Sequence, residues 1–94
     1  MKNRTYTSPR RKNRSQDSLI QREQVRAKMK VAARIDDIRQ ELNLTKSEFA
    51  ELLGRHPSEI TKWLSGTHNF TQDTYTLIEV LTKKRIFEGM KVKV

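Results

Sequence analysis

Between residues 43 and 71 the chain is punctuated too closely for anything but short helices. Gly54 and Pro57 stand close together, and Gly66 follows within one short helix length. Glycine takes the left-handed conformation needed just past a helix C-terminus, and proline suits the first helical turn, where no amide proton is required. Thr45-Lys46-Ser47-Glu48 has the form of a capping box, a hydroxyl for the orphan amides and a Glu three positions on that reaches back. These signals predict a helix over 46–53 ended by Gly54 and another over 57–65 closed by Ser65-Gly66. His56 takes the N-cap position of the second. Thr67 to Phe70 then form a loop, and Thr71 caps a further helix over about 72–83 bearing Tyr75, Leu77, Ile78, Val80 and Leu81.

Upstream, Asp17 to Leu42 contains neither Gly nor Pro, and Val31, Ile35, Ile38 and Leu42 follow 4-3-4 spacing that puts them on one helical face. A helix over about 29–42 is expected. Leu19, Ile20, Val25 and Met29 carry the pattern backwards on a drifting face, either as an extension to about residue 17 or as a separate short helix. Downstream, Ile86 and Phe87 are placed to fold back on the core, while Met90 to Val94 alternates like a strand that lacks a partner. The expected fold is all-α, a compact unit of four to five helices. Its organisation is a disordered basic arm over 1–16, a domain over 17–87 and a tail over 88–94.

Charge and composition narrow the function. The chain has 94 residues, a formal charge of +9 and no cysteine. Residues 1–15 hold Lys2, Arg4, Arg10, Arg11, Lys12 and Arg14 without an acid, so most of the net charge sits there. Such a segment buries too little surface to fold alone. It is either a solubilising tail or an arm for a polyanion, whose counterions it would release. Without cysteine there is no disulfide framework, thiol chemistry or thiolate metal site. Two histidines are too few for a metal centre, and no cofactor is expected. No apolar run approaches a membrane span, and the basic N-terminus leads into Ser, Pro, Arg and Asn rather than an apolar leader, so a cytoplasmic protein is expected. A glycine-rich phosphate loop, a nucleophile elbow and a separable Ser/His/Asp arrangement are all missing from the sequence, so an enzyme is not expected.

The informative stretch is Leu44 to Gly66, LTKSEFAELLGRHPSEITKWLSG. It holds two short helices joined by a tight, Gly-containing turn, the grammar of a helix-turn-helix. Ala50 lies where the helices approach and must be small. Ile60 and Trp63 share a face that can pack on Phe49, Ala50 and Leu53, which makes Trp63 a core residue rather than a base-stacking one. A β-branched residue at Gly54 is expected to push the helices apart.

From Met29 to Leu81 the chain resembles the phage-repressor (Xre/Cro) family of helix-turn-helix proteins. The resemblance rests on the Leu-Thr opening at 44–45, Phe49-Ala50, Gly54, the Ile60–Trp63 spacing and Ser65-Gly66. It implies that the helix over 57–65 enters the DNA major groove. The positions matching the family's base-reading ones are Pro57, Ser58, Glu59 and Lys62. Lys62 can donate to guanine O6/N7, Glu59 can accept from cytosine N4 or form a surface pair with Lys62, and Ser58 can bond either way. Pro57 departs from the usual polar residue and would read shape or a thymine methyl. For phosphates, the helix N-terminus at Thr45, Lys46 and Ser47 offers amides and a positive dipole end. Arg55 and His56 in the turn and Thr67, His68, Asn69 and Thr71 after the helix complete the candidate backbone contacts. Lys83-Lys84-Arg85 can also reach phosphate or simply complement a helix C-terminus. The function implied is a sequence-specific double-stranded-DNA-binding transcriptional regulator, a repressor, acting as a homodimer in a bacterium or phage. Its dimer surface would be 17–30 or 86–94. The alternative is an antitoxin that neutralises a cognate toxin protein and autoregulates its operon.

Overall fold

The computed structural model describes residues 14–87. The arm over 1–13 and the tail over 88–94, including the strand-like alternation from Met90, lie outside the described residues. Four helices follow in order, α1 (Arg14–Glu41), α2 (Lys46–Leu53), α3 (Pro57–Leu64) and α4 (Gln72–Thr82). The described part of the chain is all-helical.

The segment before residue 31 is one continuous piece with the helix that follows it. α1 runs unbroken for 28 residues, about 42 Å at 1.5 Å per residue, and starts three residues before the expected boundary at residue 17. Uninterrupted helix formers carry it, because the drifting apolar positions give its first half no face to bury. Asn43 ends it in the left-handed conformation, φ 59°. There Arg39 ties the helix to the linker, its Nη1 donating to the Leu44 carbonyl at 2.8 Å and its Nε to Asp36 at 2.9 Å.

Both halves of the capping box form. Thr45 Oγ1 accepts the Glu48 amide at 3.1 Å, and Glu48 Oε1 accepts the Thr45 amide at 2.8 Å. Gly54 then takes φ 66°, with its amide and that of Arg55 returning to the Ala50 carbonyl. A Cβ at Gly54 meets nothing within 4 Å. Its requirement is therefore conformational, and the expected wedge between the helices does not arise. Gly66 differs: at φ 88° its Cβ would also meet Met29 Cγ at 3.3 Å.

The core gathers one stripe from each element. Val31, Ile35 and Ile38 come from α1, Phe49, Ala50 and Leu53 from α2, Ile60 and Trp63 from α3, Ile78 from α4, and Ile86 from beyond it. α3 packs on α2 and α1, and α4 on α2. Of the apolar residues expected on α4, only Ile78 is fully buried, while Val80 is exposed.

The chain after α4 is held by polar bonds as well as by Ile86. Arg34, whose side chain is 13% exposed, donates from Nε and Nη2 to the Arg85 carbonyl at 3.1 and 2.9 Å. Its Nη1 pairs with Glu41 at 3.3 Å, and Lys84 meets the other Glu41 oxygen at 3.3 Å. The Ile86 amide donates to Glu79 at 2.8 Å. Phe87 stays partly exposed with its ring edge on Tyr75. Lys84 is thus committed to Glu41 rather than simply solvated.

Candidate nucleic-acid interface

α3 is an eight-residue helix with two unlike faces. Ile60 and Trp63 are buried, which fixes its rotation. Ser58, Thr61, Lys62 and Ser65, at i, i+3, i+4 and i+7, are exposed together on the other side. Thr61 is a residue that motif matching passed over. Helical spacing from Ser58 was the signal that could have found it, since Ile60 and Trp63 already fix the inward face.

Pro57 stands at the first helical position with its ring exposed. Glu59 is turned back toward the helix start: its Oε1 accepts the His56 amide at 3.3 Å and the side chain is half-buried. It acts here as a cap, not as the partner of Lys62. Among the described residues the ion pairs lie elsewhere, at Arg26–Glu23, Arg34–Glu41, Arg39–Asp36 and Lys84–Glu41. Lys62 therefore points its ammonium outward without an acidic neighbour.

The backbone candidates separate by what their protons already do. At the start of α2, Lys46 and Ser47 are exposed, and the first helical amides have no intrahelical carbonyl to bond. Thr45 Oγ1 spends a lone pair on capping, which leaves its proton to donate. Thr71 Oγ1 accepts the Thr74 amide at 3.2 Å and shares a hydrogen bond with the Thr74 hydroxyl at 3.1 Å. In the turn after α3 the accounting is tighter. Ser65 Oγ donates to the Lys62 carbonyl at 2.7 Å, so the 2.9 Å contact between Ser65 and Thr67 hydroxyls requires Thr67 to be the donor. Thr67 thus keeps acceptor capacity only, the wrong polarity for a phosphate unless the turn rearranges.

Arg55, His56 and Asn69 are exposed, whereas His68 is half-buried. Its imidazole sits in an aromatic cluster, 4.7 Å from Phe70 and 6.4 Å from Trp63, centre to centre. The cluster continues through Phe70–Tyr75 at 5.6 Å to Tyr75–Phe87 at 4.9 Å. Partial burial raises the Tyr75 phenol above its ordinary value. The rings brace the loop that follows α3. Among the described residues no His, Asp and Glu side chains gather into a metal-binding group, and no helix is long and apolar enough to cross a membrane.

The fold and the exposed, cation-bearing face of α3 define a DNA-binding helix-turn-helix protein. The helix-turn-helix family model HTH_3 matches residues 35–88, more than half of the chain, and the chain belongs to that family, in its Xre/Cro-like form. No curated protein and no solved structure matches it. Membership makes the protein a DNA-binding regulator in general terms, with double-stranded DNA as its partner.

Proposed function

We propose that the protein is a transcriptional repressor that reads a specific duplex site through α3, with two copies on adjacent half-sites. The observation that carries this reading is the outer face of α3. Ser58, Thr61 and Lys62 are presented on a helix whose inner face is locked by Ile60 and Trp63. Lys62 donates to guanine O6/N7, Ser58 bonds either way, and Thr61 offers a methyl for thymine and a hydroxyl. Pro57 reads shape beside them. Glu59 reaches cytosine only by releasing the His56 amide, so its first role is to hold the helix start. Lys46, Ser47 and Thr45 anchor one strand, with Arg55, His56, Asn69 and Thr71 as further backbone contacts that position without reading sequence.

One such helix touches only a few base edges. A second copy about 34 Å along the duplex doubles the readout.

Selection from a random duplex pool tests the reading. The expected outcome is one enriched motif with two-fold symmetry, and a loss of about 1–3 kcal/mol for Lys62→Ala with relaxed choice at a single base of each half-site. A pool that stays unenriched contradicts it.

A further inference from the structure

The first half of α1 has no task in the reading above. Every side chain from Gln16 to Lys30 is exposed, apart from Lys28, which is half-exposed. The residues are not scattered evenly in chemistry. Arg22, Val25, Arg26, Met29, Lys30 and Ala33 fall together on one open face.

That face leads directly to the backbone anchors. Met29 and Ala33 also line the cleft that holds Lys46, Ser65 and Gly66, and Met29 lies against Gly66. Moving N-terminally from this junction, the same stripe presents Lys30, Arg26 and Arg22. Asp36 and Asp37 follow Ala33 on this face, Asp36 held by Arg39 at 2.9 Å. The acid beside the cations is Glu23, paired with Arg26 at 3.3 Å, with both side chains more than half exposed. Such a pair is worth little and yields readily to a phosphate. Asp17 lies on the far side of the helix from this face.

We propose that this face of α1 is a second DNA-backbone contact, in which Arg22, Arg26 and Lys30 take phosphates of the duplex flanking the base-read site. It rests on the reading that α3 binds DNA, and extends it beyond the half-site. From Met29 back to Arg22 the helix covers about 10 Å, roughly three base pairs of flank. The alternating Val25, Met29 and Ala33 seat the helix against the sugar edges, between the cations.

The test uses the full chain and the triple variant Arg22→Gln/Arg26→Gln/Lys30→Gln, which keeps good helix formers throughout. Circular dichroism checks that helicity is unchanged. Affinity is then followed against salt on two duplexes, one carrying ten base pairs beyond each end of the selected site and one trimmed to it. On the long duplex the variant should lose about 2–3 from the magnitude of the log–log salt slope, since each phosphate contact contributes about 0.9. On the trimmed duplex wild type and variant should coincide. Equal slopes on the long duplex overturn the proposal, as does the same difference on both lengths, which would mean general charge rather than a flank contact. Loss of a dimer by the variant in light scattering without DNA assigns the face to a second copy and overturns it too. Absence of site preference by the wild type on either duplex overturns the underlying reading and this proposal together. Normal site preference without a flank effect overturns this proposal alone.

Discussion

Along α1, Val31, Ile35 and Ile38 lie in the core, whereas Leu19, Ile20, Val25 and Met29 on the same helix are 52%, 53%, 53% and 57% exposed. Both stretches are built of helix formers, and residues 14–30 and 31–42 each carry four large apolar residues, the latter in fewer positions. They differ in phase. Val31, Ile35, Ile38 and Leu42 hold a 4-3-4 rhythm that meets α2, α3 and α4, while Leu19 and Ile20 drift off the face shared by Val25 and Met29, so the earlier apolar residues make no continuous stripe against the core. Helix formation follows from local propensity and an unbroken run, but burial needs a constant face. A helix can therefore outrun its domain, and here the first half is held by continuity with the second and, at its end, by Met29 against Gly66.

The sharpest way to break the comparison is to truncate one isoleucine in each half. Ile35→Ala should cost about 2–5 kcal/mol in urea unfolding, and Ile20→Ala should stay within about 0.5 kcal/mol. Equal costs would mean that the first half is packed in solution. Next in size is Arg34→Ala, which removes two bonds to the Arg85 carbonyl and releases the chain after α4 from α1. A loss of about 2 kcal/mol is expected, with faster amide exchange at Ile86. A gain is expected at Lys83, which caps α4 in the left-handed region at φ 59°. Lys83→Gly should raise stability by about 1 kcal/mol, because glycine meets no Cβ penalty there.

The smallest effect is electrostatic. The Lys84 ammonium, aided by Arg34, holds the Glu41 carboxyl below its usual 4.5. A depressed carboxylate contributes stability that is present above the unfolded-state value and lost as pH falls through the lower folded value. Acid titration below about pH 4.5 should therefore loosen the segment after α4, and Glu41→Gln should remove that part of the acid dependence. An unchanged acid limb in Glu41→Gln would show that the Lys84 and Arg34 contacts do not couple to folding.

How much of this was legible in the sequence depended on the range of the interaction. The capping box at Thr45 and Glu48 and the turn at Gly54 are local, and the residues announce them three or four positions apart. The length of α1 was ambiguous because the drift of Leu19 to Met29 reads equally as one helix or two. At Gly54 the turn was legible but not its reason, which is φ rather than space. Of the residues proposed to meet DNA, Lys46, Ser47, Ser58 and Lys62 are exposed, as is Thr61, which motif matching passed over despite its spacing. The roles of Glu59 as a cap, Thr67 as a committed donor and His68 as a member of an aromatic cluster were not legible. Each depends on where a neighbour's proton or ring points. Arg34 was further still from view, since its partner Arg85 is 51 positions away.

The most direct measurement is fluorescence anisotropy of the full chain with duplex from its own upstream region, against an unrelated duplex, through a salt titration. Binding at least about 10³-fold tighter to one site at physiological salt is expected. Equal affinity for both duplexes, falling steeply with salt, would leave only nonspecific phosphate contact and contradict base reading by α3.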